Sequence, residues 1–133
     1  MCCDAEKLAT EKFLKNKKPG DRVVVWKIIK EHYNWDTKIG YVTPYRQETV
    51  NAGWFKAYNW KLLKRKKMIS DYENYSITEG IHCYLTRSKA REYVTISSRK
   101  VIRCEAYVRD FLGCDKDGHA VFKKIWIPKE QIK

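Results

Sequence analysis

Ile77-Thr78-Glu79-Gly80-Ile81-His82-Cys83-Tyr84-Leu85-Thr86, running directly into Arg87-Ser88-Lys89-Ala90-Arg91-Glu92-Tyr93-Val94, decides how the rest of the chain is read. From Ile81 the residues alternate, with Ile81, Cys83 and Leu85 on one side and His82, Tyr84 and Thr86 on the other, which is the period of a half-buried strand. The strand stops at Thr86. A helix can start there, because Ser88 can cap its first free N–H groups and Ala90, Tyr93 and Val94 recur at helical spacing. A polar strand face carrying an imidazole and a phenol therefore ends at a helix N-terminus that also carries Arg87, a combination suited to holding an anion.

At 133 residues the chain is long enough for one domain with a real core and too short for two ordinary ones. Its 44% hydrophobic and 14% aromatic residues can build that core without disulfides. The expected architecture is a single α+β domain over residues 1–133. It consists of a strongly bent antiparallel or mixed β-sheet at about 22–128, an N-terminal helix at about 4–15 and the helix after Thr86. No run approaches the roughly 18 apolar residues of a membrane span. The opening Met1-Cys2-Cys3-Asp4 leads into no apolar signal segment, so a cytoplasmic protein with no membrane partner is expected.

The five cysteines, Cys2, Cys3, Cys83, Cys104 and Cys114, are odd in number and show no C-x-x-C spacing. Neither a zinc site nor a disulfide framework follows, and no metal or cofactor is expected. Cys83 and Cys104 fall on apolar strand sides and read as small core residues. Cys2 would become an N-terminal thiol if Met1 were removed, but nothing near it in sequence supplies an activating base.

Basic side chains number 28 against 16 acidic ones, for a net charge of +12. That excess favours polyanions and phosphate-bearing partners, leaving nucleotides, nucleic acid and an acidic protein surface open.

Along the chain, Asp4 can cap a helix running to about Lys15, with Ala5, Leu8, Ala9 and Phe13 as its apolar stripe. Asn16-Lys17-Lys18-Pro19-Gly20 ends it. Val23 to Ile29 is apolar apart from Lys27, as a central strand covered on both faces should be. A lysine there either reaches water near a strand end or points into a functional cleft. Gly40 to Tyr45 reads as an edge strand or an extended loop, because Pro44 argues against a central position. Val101 to Val108 has the cleanest alternation, with Ile102, Cys104, Ala106 and Val108 facing one way and Arg103 and Glu105 the other. Asp110 to His119 is a polar excursion with Asp115-Lys116-Asp117-Gly118 as its turn; a calcium loop would need a later glutamate that is missing. The last strand, Ala120 to Ile127, is stopped by Pro128.

Between these strands, Trp54, Phe55, Tyr58 and Trp60 precede Lys61-Leu62-Leu63-Lys64-Arg65-Lys66-Lys67, where five of seven residues are cations. Aromatics beside cations can stack bases and hold phosphates; the plainer alternative is tryptophans in the core and lysines on a solvated face. No nucleophile elbow and no phosphate-cradling glycine loop is present. His82 and Tyr84 share a strand face and could act as acid and base, although a strand histidine is commonly a hydrogen-bonded structural residue.

Taken from Val23 to Pro128, the order of elements resembles a degenerate ADP-ribosyltransferase-like half-barrel. The matching parts are Val23 to Ile29, Glu79 to Thr86 with its helix, Val101 to Val108, and Val121 to Pro128. The resemblance implies a cleft overhung by the helix that follows the second strand. Two departures bear on activity. Trp26-Lys27 stands where an arginine or histidine would grip a dinucleotide, and Phe122-Lys123-Lys124 stands where that family places its catalytic glutamate. Without the carboxylate nothing remains to stabilise a cationic sugar transition state, so the cleft is expected to bind and not to transfer. Residual activity would need Glu79 or Glu105 to fall in the cleft.

The Met-Cys start, the early Trp-Lys strand and the Gly80-Ile81-His82 turn also resemble small proteins encoded by bacteriophages. Several phage proteins of this size counter host immunity, some by sequestering nucleotide signals. These readings combine into a non-catalytic protein of host cytoplasm that binds a phosphate-bearing ligand and self-associates to enclose it. Lys27, Arg87, Arg91 and Arg109 are the expected phosphate contacts, Tyr45, Trp54 and Tyr84 the stacking rings, and His82 a directional hydrogen-bonding group. One alternative is a single-stranded nucleic-acid surface made by Trp60, Lys61, Lys64, Arg65, Lys66 and Lys67. The other is a protein inhibitor with its basic face against an acidic host nuclease or immune complex.

Overall fold

A computed structural model describes residues 3–65 and 74–133; Cys2, Lys66 and Lys67 lie outside them. In chain order the elements are β1 (Cys3–Glu6), α1 (Lys7–Leu14), β2 (Arg22–Asn34), β3 (Thr37–Val42), β4 (Thr49–Val50) and β5 (Gly53–Lys56). They continue with β6 (Asn74–Ile77), β7 (Ile81–Tyr84), α2 (Arg87–Glu92), β8 (Arg99–Tyr107), β9 (Phe111–Cys114), β10 (His119–Phe122) and β11 (Lys124–Ile127). Short 3-10 turns at Val108–Asp110 and Lys129–Ile132 complete the set. Every ladder among the described residues is antiparallel, and the protein is a single α+β domain.

The main sheet runs β5-β11-β8-β2-β7-β10-β9, with β3 on β2 and β4 on β3. Lys123 alone separates β10 from β11 in sequence, yet β7, β2 and β8 lie between them in the sheet. In a flat sheet that separation is four strand spacings, about 19 Å, whereas the two steps from Phe122 to Lys124 reach about 7 Å at most. The sheet therefore curls until its two halves meet at Lys123. Lys123 N–H donates to Asp110 O at 2.7 Å and Ala57 N–H donates to Lys123 O at 3.0 Å, which stitches the seam.

The concave side holds the core. Val25 and Ile29 of β2, Ile102, Cys104 and Ala106 of β8, and Cys83 of β7 belong to one buried cluster with Phe111, Phe122 and Ile125. The alternation in β8 is as expected, and Cys83 and Cys104 are fully buried. Helix α1 closes the β9–β10 side, where Phe13 lies 4.2 Å from Phe111 between ring centroids. Helix α2 covers the opposite face of the sheet, burying Ala90 against Ile28 and Tyr84.

Several boundaries differ from expectation. Residues Cys3–Glu6 pair with Asn74–Ile77, so the N-terminal helix starts at Lys7, and Asp4 is not its cap. Thr86, not Ser88, caps α2, its hydroxyl accepting from Lys89 N–H at 3.3 Å. β7 is buried on both faces, because α2 lies over Tyr84. The excursion from Asp110 contains a strand, β9, with all four residues buried, before the expected turn at Asp115–Gly118. The last strand is two, broken at Lys123 where the chain crosses the seam. No helix among the described residues is long and apolar enough to cross a membrane.

Candidate functional site

Strand β2 is paired along one edge with β8 from Arg22 to Lys30. On its other edge it meets β7 at one position, Trp26 opposite Tyr84, and then β3 from Lys30 onward. Between these two neighbours the sheet is split, and a cleft of about 390 Å³ opens there. Lys27 and Ile28 form its floor. Thr43 to Arg46 and Glu48 make one wall, Thr78 to His82 the other, and Tyr93 and Arg99 close one end.

Lys27 owes its position to the split. Its side chain is 9% exposed, and its ammonium donates to His82 O across the gap at 2.7 Å, in place of the ladder that β2 and β7 do not continue. Burial lowers its pKa, and an anion in the cleft would favour the charged form again. Two further cations reach the same space. Arg46 spans the mouth, donating to Thr78 O at 3.5 Å, and Arg99 lies over Tyr45, 5.8 Å from the ring centroid. Arg99 Nε is enclosed without a hydrogen-bond partner among the described residues. None of the ion pairs among those residues involves Lys27, Arg46 or Arg99.

The aromatic walls are unequal. Tyr84 and Tyr93 stack on one another at 5.2 Å, and burial pushes the Tyr84 phenol up to about 12, so it remains a neutral donor. Tyr45 is 63% exposed at the rim. Glu48 and Glu79 are the carboxylates of the lining; Glu79 accepts from Asn59 Nδ2 at 2.7 Å.

His82 lines the cleft with both ring nitrogens engaged. Nε2 lies 3.2 Å from Thr78 O, which can only accept, so Nε2 carries the proton. Burial pulls the His82 pKa down to about 4 and keeps the ring neutral. Nδ1 is then an acceptor, and the N–H at Nε2 of His119 donates to it at 3.0 Å. The imidazole thus fixes the Thr78 turn to β10.

Of the residues expected to bind, the structure brings Lys27, Tyr45, His82 and Tyr84 to this cleft. Arg87 and Arg91 do not line it: they are exposed on α2, Arg87 above Trp26 at 5.9 Å. Trp54 and Arg109 lie elsewhere again, both against Tyr107 on the outer face of the sheet. The alternative basic segment is divided in a similar way. Trp60 packs partly on the core, and Arg65 donates to Phe111 O at 3.3 Å. Lys61 and Lys64 are exposed, and Lys66 and Lys67 fall outside the described residues. Glu79 reaches the cleft and Glu105 does not. Arg46 and Arg99 had no local signal, since they come from a turn and a strand end, and Tyr93, expected only on the apolar stripe of a helix, is the C-cap of α2.

Among the described residues, Cys3, Asp115 and His119 offer ligand atoms within 4.8 Å of one another. Their own hydrogen bonds account for that placement. Cys3 Sγ donates to His119 O at 3.4 Å, and Asp115 Oδ1 accepts from the N–H groups of Asp117 and His119 in the turn. No family model matches the chain, and no curated protein and no solved structure matches it either.

Proposed function

We propose that the protein binds a phosphate-bearing small molecule in the cleft at the split of the sheet without transforming it, a nucleotide being the most concrete ligand. The observation that carries the reading is the convergence on one recess of three cations that enter no ion pair among the described residues, with Glu48 near enough to Lys27 only to favour its charge and with one enclosed Arg99 N–H that has no hydrogen-bond partner among those residues. Lys27 and the Nε of Arg99 gain most from an anion, because they have already lost water and enter no ion pair among the described residues. The volume lies within the roughly 300–1,000 Å³ of small-molecule sites, and Tyr45 and Tyr93 offer ring faces for a base. Binding without turnover is supported by the last strands. Phe122 is core, Lys124 lies over Trp54 on the outer face, and the cleft carboxylates Glu48 and Glu79 are both exposed.

In this reading the chain is a phage-type anti-defence protein that sequesters a nucleotide immune signal, with self-association covering the open side of the cleft. Calorimetry with a panel of mono-, di- and cyclic nucleotides tests it. One member is expected to bind with release of heat, at least tenfold more weakly to Arg99→Ala and Lys27→Met, and unchanged to Arg87→Ala, whose side chain is outside the cleft. No heat with any member, or a product detected after incubation, would remove the reading.

A further inference from the structure

The outer face of β5, β11 and β8 is a second aromatic and basic surface, on the side of β5 opposite to Phe55, which lines the cleft. Pairing places Trp126 opposite both Trp54 and Glu105, and the period of two brings Tyr107 and Arg22 to the same face. Trp54 stacks on Tyr107 at 5.8 Å and meets Trp126 edge-on at 5.4 Å. The two indoles remain 38% and 41% exposed.

Cations sit over these rings. Lys124 Nζ is 4.5 Å from the Trp54 centroid and 4.7 Å from that of Trp60, and Arg109 and Arg22 lie 4.3 Å and 5.3 Å from Tyr107. Glu105 is the carboxylate of the group, held by Arg22 at 3.3 Å. A groove of about 230 Å³ runs between Arg22, Trp54, Glu105, Tyr107 and Trp126.

We infer that this face binds single-stranded nucleic acid, with a base stacked on Trp126, Trp54 bordering it edge-on, and the phosphates running past Lys124, Arg22 and Arg109. Three features select that partner. Adjacent exposed indoles offer planar apolar area, which unpaired bases match and which a duplex, with its base faces already stacked, does not. Arg109, Lys124 and Arg22 beside the rings can neutralise phosphates, Arg22 by exchanging its bonds to Glu105 and the Tyr107 hydroxyl, in a chain whose net charge is +12. Glu105 can accept from the exocyclic amino group of a cytosine or guanine, which makes the lone carboxylate useful. An acidic protein surface would satisfy the cations and leave the indoles uncovered.

Fluorescence anisotropy of labelled 12-nucleotide single strands and a 12-base-pair duplex, titrated with the full chain at several salt concentrations, tests the inference. Single strands are expected to bind more tightly than duplex. Affinity should fall about tenfold in Trp126→Ala and again in Arg109→Ala, with circular dichroism unchanged, and stay at the wild-type value in Lys27→Met. Equal affinity for duplex, indifference to Trp126→Ala and Arg109→Ala in a folded protein, or equally effective competition by polyglutamate would overturn it. Loss of cleft binding in Lys27→Met with oligonucleotide binding intact separates this inference from the one above.

Discussion

At the cleft, one ammonium is held below the surface with burial working against its charge, whereas on the β5–β11–β8 face Arg22, Arg109 and Lys124 lie over rings that water still reaches. The residue types are the same in both places; their solvation is not. A buried cation with a fixed donor direction discriminates between anions, because a wrong shape leaves it unpaired in a poor solvent. Exposed cations attract any phosphate chain and are screened by salt. The split in the sheet makes the difference. Lys27 reaches into the space between β2 and β7, while the cations of the outer face lie over the rings of Trp54 and Tyr107 beside a smaller groove of about 230 Å³.

If the split is what builds the cleft, the turn that enters β7 is its most sensitive point. Gly80 has φ of +121°, and a Cβ there would stand 2.5 Å from Val121 Cγ1 and 3.2 Å from Phe122 O. Val121 and Phe122 are fully buried and cannot yield. Gly80→Ala combines overpacking with backbone strain, so a loss of about 3 kcal/mol or more is expected in urea denaturation. Retention of wild-type stability would show that β7 is free to shift and that the cleft has no fixed wall. The matching change on the other face, Trp126→Ala, removes an exposed ring and should cost well under half as much.

Acid separates the two regions next. The unfolded His82 takes up a proton near its ordinary pKa of about 6.5, but in the folded chain burial holds it near 4. Between those values the unfolded state binds the extra proton, so stability is full above about pH 6.5, declines as pH falls, and levels off near pH 4. Burial also lowers the pKa of His119, and the two rings share one hydrogen bond, so they titrate as a pair. A decline on the order of 2 kcal/mol is expected. Urea midpoints at pH 7 and pH 4.5 measure it, and a His82→Gln variant should show less of it because Gln can still donate to Thr78 O. Oligonucleotide binding to the outer face, which relies on arginines and lysines, should persist at pH 5.5. An identical decline in wild type and variant would place the acid sensitivity elsewhere.

What was legible in the sequence follows the same division. Strand β8 was plain because one of its faces is core and the other wet, so its alternation survives in Ile102, Cys104 and Ala106 against Arg103 and Glu105. Strand β9 was hidden for the opposite reason. Phe111 to Cys114 are buried on both faces, no alternation exists, and flanking Asp110 and Asp115 made the segment look polar. The break at Lys123 is a property of closure: a strand crossing the seam of a curled sheet has no local mark. The cleft was half readable. Lys27 is conspicuous in an apolar strand and His82 with Tyr84 in a short one, but Arg46 and Arg99 come from segments that only the split brings together. Trp54 and Arg109 have the composition of a cleft and the location of an outer face, and composition cannot tell the two apart.

The smallest effect concerns α2, whose C-cap residue Tyr93 lines the cleft. Thr86 Oγ1 accepts from Lys89 N–H, one of the free donors of the first turn of α2, while the Ser88 hydroxyl only donates to Thr86 Oγ1 at 3.5 Å. Thr86→Ala removes the cap and should cost about 1 kcal/mol. Ser88→Ala removes a long, exposed hydrogen bond and should cost a few tenths at most. Because Ala90 is buried on Ile28 and Tyr84, and Tyr93 stacks on Tyr84 at the cleft wall, loosening the first turn should weaken cleft binding slightly. It should affect the outer face less, since α2 meets that face through β8, beside Val101, and the indoles Trp54 and Trp126 are on β5 and β11. Paired measurements of urea midpoint and both affinities on the two variants decide the matter. Equal effects from Thr86→Ala and Ser88→Ala would return the cap to Ser88. Oligonucleotide affinity that falls as far as cleft affinity would mean that the two regions are coupled through the sheet and are not the independent surfaces their solvation makes them.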